Sequence, residues 1–500
     1  MIAALIVAAT AASAPVVAAT AALAPITATA ALAPLAPANA ASAPATQEQY
    51  DRALAAHASS DARTAAALLY TWLRAANRSA ASYETAEHLL AEDLQALGLT
   101  HAALVYEGDV VRDRARPELL PLALAHLEEW TRATPHDEER LEGELLHGND
   151  FGALEGTARD FVAFEQGAQD LRAGEERWAQ ASFTTLSTGS PYRARARLLN
   201  LALELQHGTS DTLLADLESL AADAQAPRET RNDARIDSGR LRFEKGDFAQ
   251  ALADYQAIDL PELDPGRGQI YLEEAWAEFR LGHGGRAMGL LAALDAPSYR
   301  ALFLPEKFLL RALIYKDACQ WLPAKRAARG LLVHYAASLK VIHDRRPLTV
   351  DPALASASLQ KGAGQRAARL VARLQTEREE LDKNAPAWRE SGLAQRLLEL
   401  YAQEQAEAER RRALELQKGA VRAADELLAA AEQAGLADYE VGLALYRRGS
   451  ETARKSSLTF ADDRAGPGEV GFDFDGEYWN DELPVFRFAL ANRCNEGAAP

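Results

Sequence analysis

Sulfur is nearly absent from this 500-residue chain, which has two cysteines and two methionines. So low a cysteine count excludes a disulfide framework and a thiolate zinc site. Cys319 and Cys494 leave two readings open, one bridge or two unpaired thiols, because sequence does not supply the Cα separation a bridge needs. Aromatics are scarce at 7%. Basic residues are outnumbered, 54 Lys and Arg against 72 Asp and Glu, for a net charge of −18. Phosphate backbones would be repelled, so nucleic acid is not an expected partner. Arginines cluster only locally, as at Arg410, Arg411 and Arg412. HExxH, G-x-S-x-G and CxxC motifs are missing. The ten histidines are scattered, and none pairs with another at ligand spacing on one helix face. Isolated histidines such as His88 or His334 read as surface or satisfied core residues. No enzymatic activity, cofactor or metal site is expected.

The first 47 residues carry no charge and hold 22 alanines and five prolines. MIAALIVAATAA has the apolarity of a signal h-region, and Ala38-Asn39-Ala40 fits a cleavage site, although a basic n-region is missing. Prolines interrupt every window long enough to span a bilayer, so no membrane anchor is expected. Residues 1–47 are read as an export segment and tether. That places the protein in the periplasm, with the cytoplasm as the alternative.

What the chain does have is alanine, leucine, glutamate and arginine, which favour an all-α fold. Its length suggests several domains or an extended array. SGRLRFEKGDFAQALADYQAI (238–258) reads as helix, tight turn, helix. Gly246 supplies the turn's backbone angles, Ala251 is small enough for a helix crossing, and Tyr255 follows four residues on. The frame of Gly239, Gly246, Ala251 and Tyr255 recurs at Ala275, Gly282, Ala287 and Leu291, then at Ala312, Cys319, Ala324 and Ala328. Upstream it recurs at Gly167, Gly174, Ala179, Phe183 and Pro191, and at Ala91, Gly98 and Ala103. Gly208 and Leu213 mark a weaker copy, and a degenerate copy fits around LAHLEEWTRATPHDEERLEGELL. A period in the mid-thirties implies hairpins that bury their apolar faces against neighbours, a solenoid. The array is placed at 48–345.

This frame resembles the tetratricopeptide (TPR) repeat, although Arg235 and Ser238 stand where its tryptophan and leucine are usual. The tail GEYWNDEL and the stretch LGLTHAALVYEGDVV resemble exported TPR envelope proteins of predatory and gliding delta-group bacteria, a few of them in surface-motility machinery. The resemblance implies an interaction scaffold that binds partner proteins or peptides on the concave face of the array. On the repeat frame that face carries Arg240, Phe243, Trp276, Phe279, Arg280 and Lys316, with Trp276 the best candidate for exposure. Phe243 and Phe279 also read as core between repeats. A carboxylate clamp is not implied, because Arg240, Trp276 and Leu313 occupy its positions.

Prolines 347 and 352 end the array. Residues 353–452 read as two long antiparallel helices, one from Ala353 to about Lys383 and one from Ala387 to about Gln433, with a short third after a stop at Gly435. Leu393, Leu397, Leu400 and Tyr401 form an apolar stripe, resumed by Leu414, Leu416, Val421, Leu427 and Leu428; Gln403–Arg412 has little to bury. Residues 453–500 read as a linker and an aromatic, acidic β element. Gly466, Gly468 and Gly471 match G-x-G-x-x-G but lack the strand and helix of a phosphate site. Phe472, Phe474 and Tyr478, the turn signal Asp475-Gly476, and Val485–Leu490 suggest a small hairpin whose aromatic face must lie on helices. It is read as a plug. The alternative is an acidic site: calcium at Asp473, Asp475, Gly476 and Glu482, or a carboxylate pair among Glu477, Asp481 and Glu482.

Overall fold

The computed structural model describes residues 45–132, 145–152, 154–208, 212–261, 264–360, 362–448, 476–478 and 482–494. Every regular element among them is helical, and no strand occurs among the described residues. The export segment, the glycines at 466, 468 and 471, and the middle of the degenerate repeat copy lie outside the described residues.

In chain order the helices are α1 (Gln47–Ala58), α2 (Ala62–Ala75), α3 (Tyr83–Ala96), α4 (Thr100–Asp113), α5 (Leu120–Thr131), α6 (Gly156–Ala173), α7 (Glu176–Thr184), α8 (Arg193–His207), α9 (Leu213–Ala222), α10 (Arg228–Lys245) and α11 (Phe248–Gln256). They continue with α12 (Pro265–Arg280), α13 (Gly284–Ala293), α14 (Glu306–Asp317), α15 (Trp321–His334), α16 (Ala336–His343), α17 (Pro352–Leu359), α18 (Gly362–Asn384) and α19 (Leu393–Arg448).

Among the described residues, one turn joins paired helices six times. Ser60, Gly98, Gly174, Gly246, Gly282 and Cys319 all have φ between 55° and 85°, and the next helix starts two residues after each. At Gly246 the amide donates to Phe243 O (3.1 Å) and the Asp247 amide reaches back to Arg242 O (2.9 Å). The same two bonds recur in all six, down to Cys319 N–Lys316 O (3.0 Å) and Gln320 N–Tyr315 O (2.8 Å). This is the double bond that closes a helix on a left-handed residue. Glycine suits the position because a Cβ there is strained. Asp61 and Asp247 also cap the following helix, accepting from Thr64 N and Gln250 N.

Small residues let each pair of helices close. Ala91, Ala103, Ala179, Ala251, Ala275, Ala287, Ala312 and Ala324 are all buried. A Cβ on Gly239 would stand 2.5 Å from Tyr255 Cε1, and one on Gly167 would stand 2.6 Å from Phe183 Cε1. The ring of the second helix therefore lies on the bare backbone of the first. The helical repeat frame read from the sequence is present in these hairpins.

The chain forms two compact units. One takes in α1–α7, α18 and α19 up to Glu415. Its core joins Leu69, Leu90, Leu94, Ala103 and Tyr106 to Leu370, Leu374, Leu381, Leu393, Leu397 and Tyr401. Trp388 is fully buried and donates its indole N–H to Arg63 O (2.9 Å). Glu377, buried under α4, accepts from the Tyr401 hydroxyl (2.5 Å) and the His101 amide (2.8 Å).

The other unit holds Arg197–Lys361 and Leu416–Pro500. One core packs α10–α14 around Tyr255, Trp276, Leu291 and Tyr299. A second sets Ala420, Ala423, Ala424, Leu427, Ala430, Ala434 and Ala437 of α19 against Leu331, Tyr335 and Leu354. The expected stripe was only half right here. Leu414, Val421 and Leu428 are exposed, and the packed face is alanine. A Cβ on Gly419 would lie 2.8 Å from Ser358 Cα, so α17 approaches α19 where small residues permit it. α19 also runs unbroken through Gly435. One continuous 56-residue helix replaces the expected stop.

The expected β-hairpin is not found among the described residues. Phe472, Phe474 and Asp475 lie outside them. Residues 486–493 form no regular element, and a helix and a turn supply their backbone contacts, as set out next.

Candidate functional site

The residues expected on a partner-binding face belong to α10, α12 and α14 of one unit. The structure places them unequally. Arg240 is tied to Glu273, its Nε 3.2 Å from both carboxylate oxygens and its Nη2 2.6 Å from Oε1. Trp276 is buried rather than exposed, at 8% relative accessibility, because it packs into the core of α12–α14. Phe279 is partly buried beside it, with ring centroids 6.2 Å apart. Phe243 is buried, which makes it core between repeats. Lys316 is paired with Glu440 of α19. Arg280 stays exposed. Its guanidinium stacks 4.2 Å from the centroid of Phe248, an aromatic–cation pair open to solvent.

The C-terminal segment lies on α13 and on the turn between α14 and α15. Phe488 N donates to Gly285 O (2.9 Å), Arg493 N to Ala318 O (2.9 Å), and Gln320 Nε2 to Ala491 O (2.8 Å). Leu483 is buried, and Phe486, Phe488 and Leu490 pack on the core while Val485 and Arg487 point outward. Alternation was legible in the sequence; its partner is a helix. Glycines make the approach feasible. A Cβ on Gly285 would sit 2.6 Å from Phe488 O, and one on Gly284 would sit 2.8 Å from Leu490 Cδ2. Cys494 is bonded to Cys319 at the left-handed turn after α14, with the Cα atoms 5.0 Å apart. Glu482 is exposed on this segment, and Asp473, Asp475 and Asp481, needed for an acidic site, lie outside the described residues.

The other unit contains a cluster that sequence reasoning missed. His88 on α3 and His126 on α5 stack with centroids 5.0 Å apart and planes 5° from parallel. Each points Nδ1 at Oε1 of Glu107 on α4, both at 2.9 Å. Glu107 is fully buried. A carboxylate oxygen accepts, so a ring nitrogen bonded to it donates, and the tautomers are assigned on that basis. Glu92 Oε1 faces the opposite nitrogens, 3.8 Å from His88 Nε2 and 3.7 Å from His126 Nε2. His57 joins at the edge, with Nε2 3.4 Å from Glu92 Oε2 and Nδ1 3.0 Å from Asp93 Oδ1. Burial disfavours the His88 imidazolium, but the hydrogen bond and charge of Glu107, with Glu92, outweigh it and raise its pKa. Burial pushes Asp93 up to about 6 against the opposing pull of His57. These histidines sit on separate helices, so no single-helix pattern could reveal them.

No described helix is long and apolar enough to cross a membrane. No protein-family model matches the chain, and no curated protein matches it either.

Proposed function

We propose that the chain is a non-enzymatic scaffold of the TPR type, an α-solenoid that binds proteins or peptides. The observation that carries this reading is the seat of the C-terminal segment. The segment is held by main-chain bonds at Gly285 and Ala318 and by alternate apolar side chains, which supports a helical-hairpin surface able to receive a peptide. Here the segment is the chain's own, and the exposed Arg280 on the first helices is left for a partner. The Cys319–Cys494 bond supports an exported, periplasmic protein, because such bonds persist in oxidising compartments. A role in an envelope or surface-motility complex follows from the resemblance of the array and tail.

The test is capture from crosslinked cells with the wild-type chain and with Arg280→Glu. A discrete partner set recovered by the first and lost with the second supports the reading. An identical set from both, or no partner with either, overturns it. Cell fractionation decides between periplasm and cytoplasm.

A further inference from the structure

We propose that His88, Glu107 and His126 form a binding site for a divalent transition-metal ion of the zinc class, with Glu92 as the outer partner of both imidazoles. The three donors come from three consecutive helices, α3, α4 and α5, at positions 19 residues apart. Their candidate ligand atoms all lie within 4.8 Å of one another. Ligands held about 2.0–2.1 Å from one ion stand roughly 2.9–3.4 Å apart at octahedral to tetrahedral angles. The Nδ1–Oε1 separations of 2.9 Å fall in that range, and the two stacked rings must turn out of parallel for both Nδ1 atoms to meet one ion.

The surroundings have the form of a metal site. Two imidazoles and a carboxylate suit zinc and its neighbours better than calcium or magnesium, which take oxygen ligands. Histidine ligands usually give their second N–H to a carboxylate, which fixes tautomer and ring orientation. Glu92 occupies that place for both rings. At 3.7 and 3.8 Å it stands beyond hydrogen-bond distance of both rings. When the ion takes Nδ1, the ring proton is carried on Nε2, on the side that faces Glu92, which must move closer to accept it. The rings are also held in advance. Trp130 stacks on His126 with centroids 4.7 Å apart, and His126 stacks on His88. Glu107 is a fully buried carboxyl whose polar neighbours here are the two imidazoles. The side chain of His126 is 21% exposed and gives the site its solvent side, where a water would complete the coordination.

The experiment uses the full chain, stripped with a chelator, then titrated with zinc chloride by calorimetry and with cobalt(II) by visible absorption. One equivalent of zinc, and a cobalt spectrum of tetrahedral or five-coordinate intensity, is the expected result. His88→Ala, His126→Asn and the isosteric Glu107→Gln should each weaken binding at least 100-fold. Glu92→Gln should weaken it about 10- to 100-fold, as outer partners do. Circular dichroism checks that each variant keeps its helices, and Glu107→Gln, which preserves shape and a carbonyl acceptor, serves if the histidine variants unfold. Absence of uptake, or an unchanged affinity in folded His126→Asn or Glu107→Gln, overturns the proposal. Loss with Glu92→Gln alone overturns the ligand set by moving the ion to the Nε2 side.

Discussion

A methyl group on Gly289 would overlap the carbonyl oxygen of Phe486. The C-terminal segment thus rests on the bare backbone of α13, and any side chain at 289 must lift it.

Gly289→Leu is therefore expected to release the segment while the hairpins stay folded. Overpacking of this kind costs roughly 1–3 kcal/mol. Limited proteolysis followed by mass spectrometry should show cleavage near residues 485–490 at protease levels the wild type resists. Equal resistance would mean the segment is not seated on α13.

Cys494→Ser removes a link that closes 175 residues of sequence. Loss of a native disulfide costs about 2–5 kcal/mol. The variant, and the wild type under reductant, should melt at a lower temperature than the oxidised wild type. Two reactive thiols in the untreated denatured protein would contradict the bond.

Glu87 gives a pH-dependent test in the other unit. It is buried, and neither carboxylate oxygen has a hydrogen-bond partner among the described residues. Burial first, then the charge of Asp109, pushes its pKa up to about 8, with Arg78 opposing. The folded value lies above the unfolded one, so the contribution to stability is intact below the ordinary carboxylate value and is lost as pH climbs toward 8. At pH 7 this amounts to roughly 3 kcal/mol. Glu87→Gln should raise the melting temperature, by a margin that widens from pH 5 to pH 8. A constant margin would refute the assignment to ionisation.

Gly239→Ala places a methyl group under the Tyr255 ring and should cost roughly 1–3 kcal/mol. Gly189→Ala is the control, because nothing lies within 4 Å of its added Cβ. Equal urea midpoints for the two would show that the hairpins are looser than described.

The hairpins were legible because their requirements are local. A left-handed turn residue and a small residue at each crossing recur in the sequence, and Gly98, Gly174, Gly246 and Gly282 announce them. The turn at Ser60 was missed because serine there bears the backbone cost that glycine avoids. The packed alanine face of α19 was missed because the reading weighted leucine and valine, whereas close helix approach selects small side chains. Gly435 fits inside a helix at a cost of about 1 kcal/mol, so it need not end one. Among the site residues, Trp276 and Lys316 were placed on the right helices. Their burial and pairing depend on packing from elsewhere in the unit, including Glu440 of α19. The histidine cluster requires three helices to meet at Glu107, which no window of sequence displays.

The scaffold account is tested most directly by a photo-crosslinking amino acid placed at Arg280, in living cells, with a second copy of the experiment at exposed Trp178 as control. The account predicts a discrete adduct with another protein from position 280 and none of that mass from 178. No adduct from 280, or the same adduct from both positions, would contradict it.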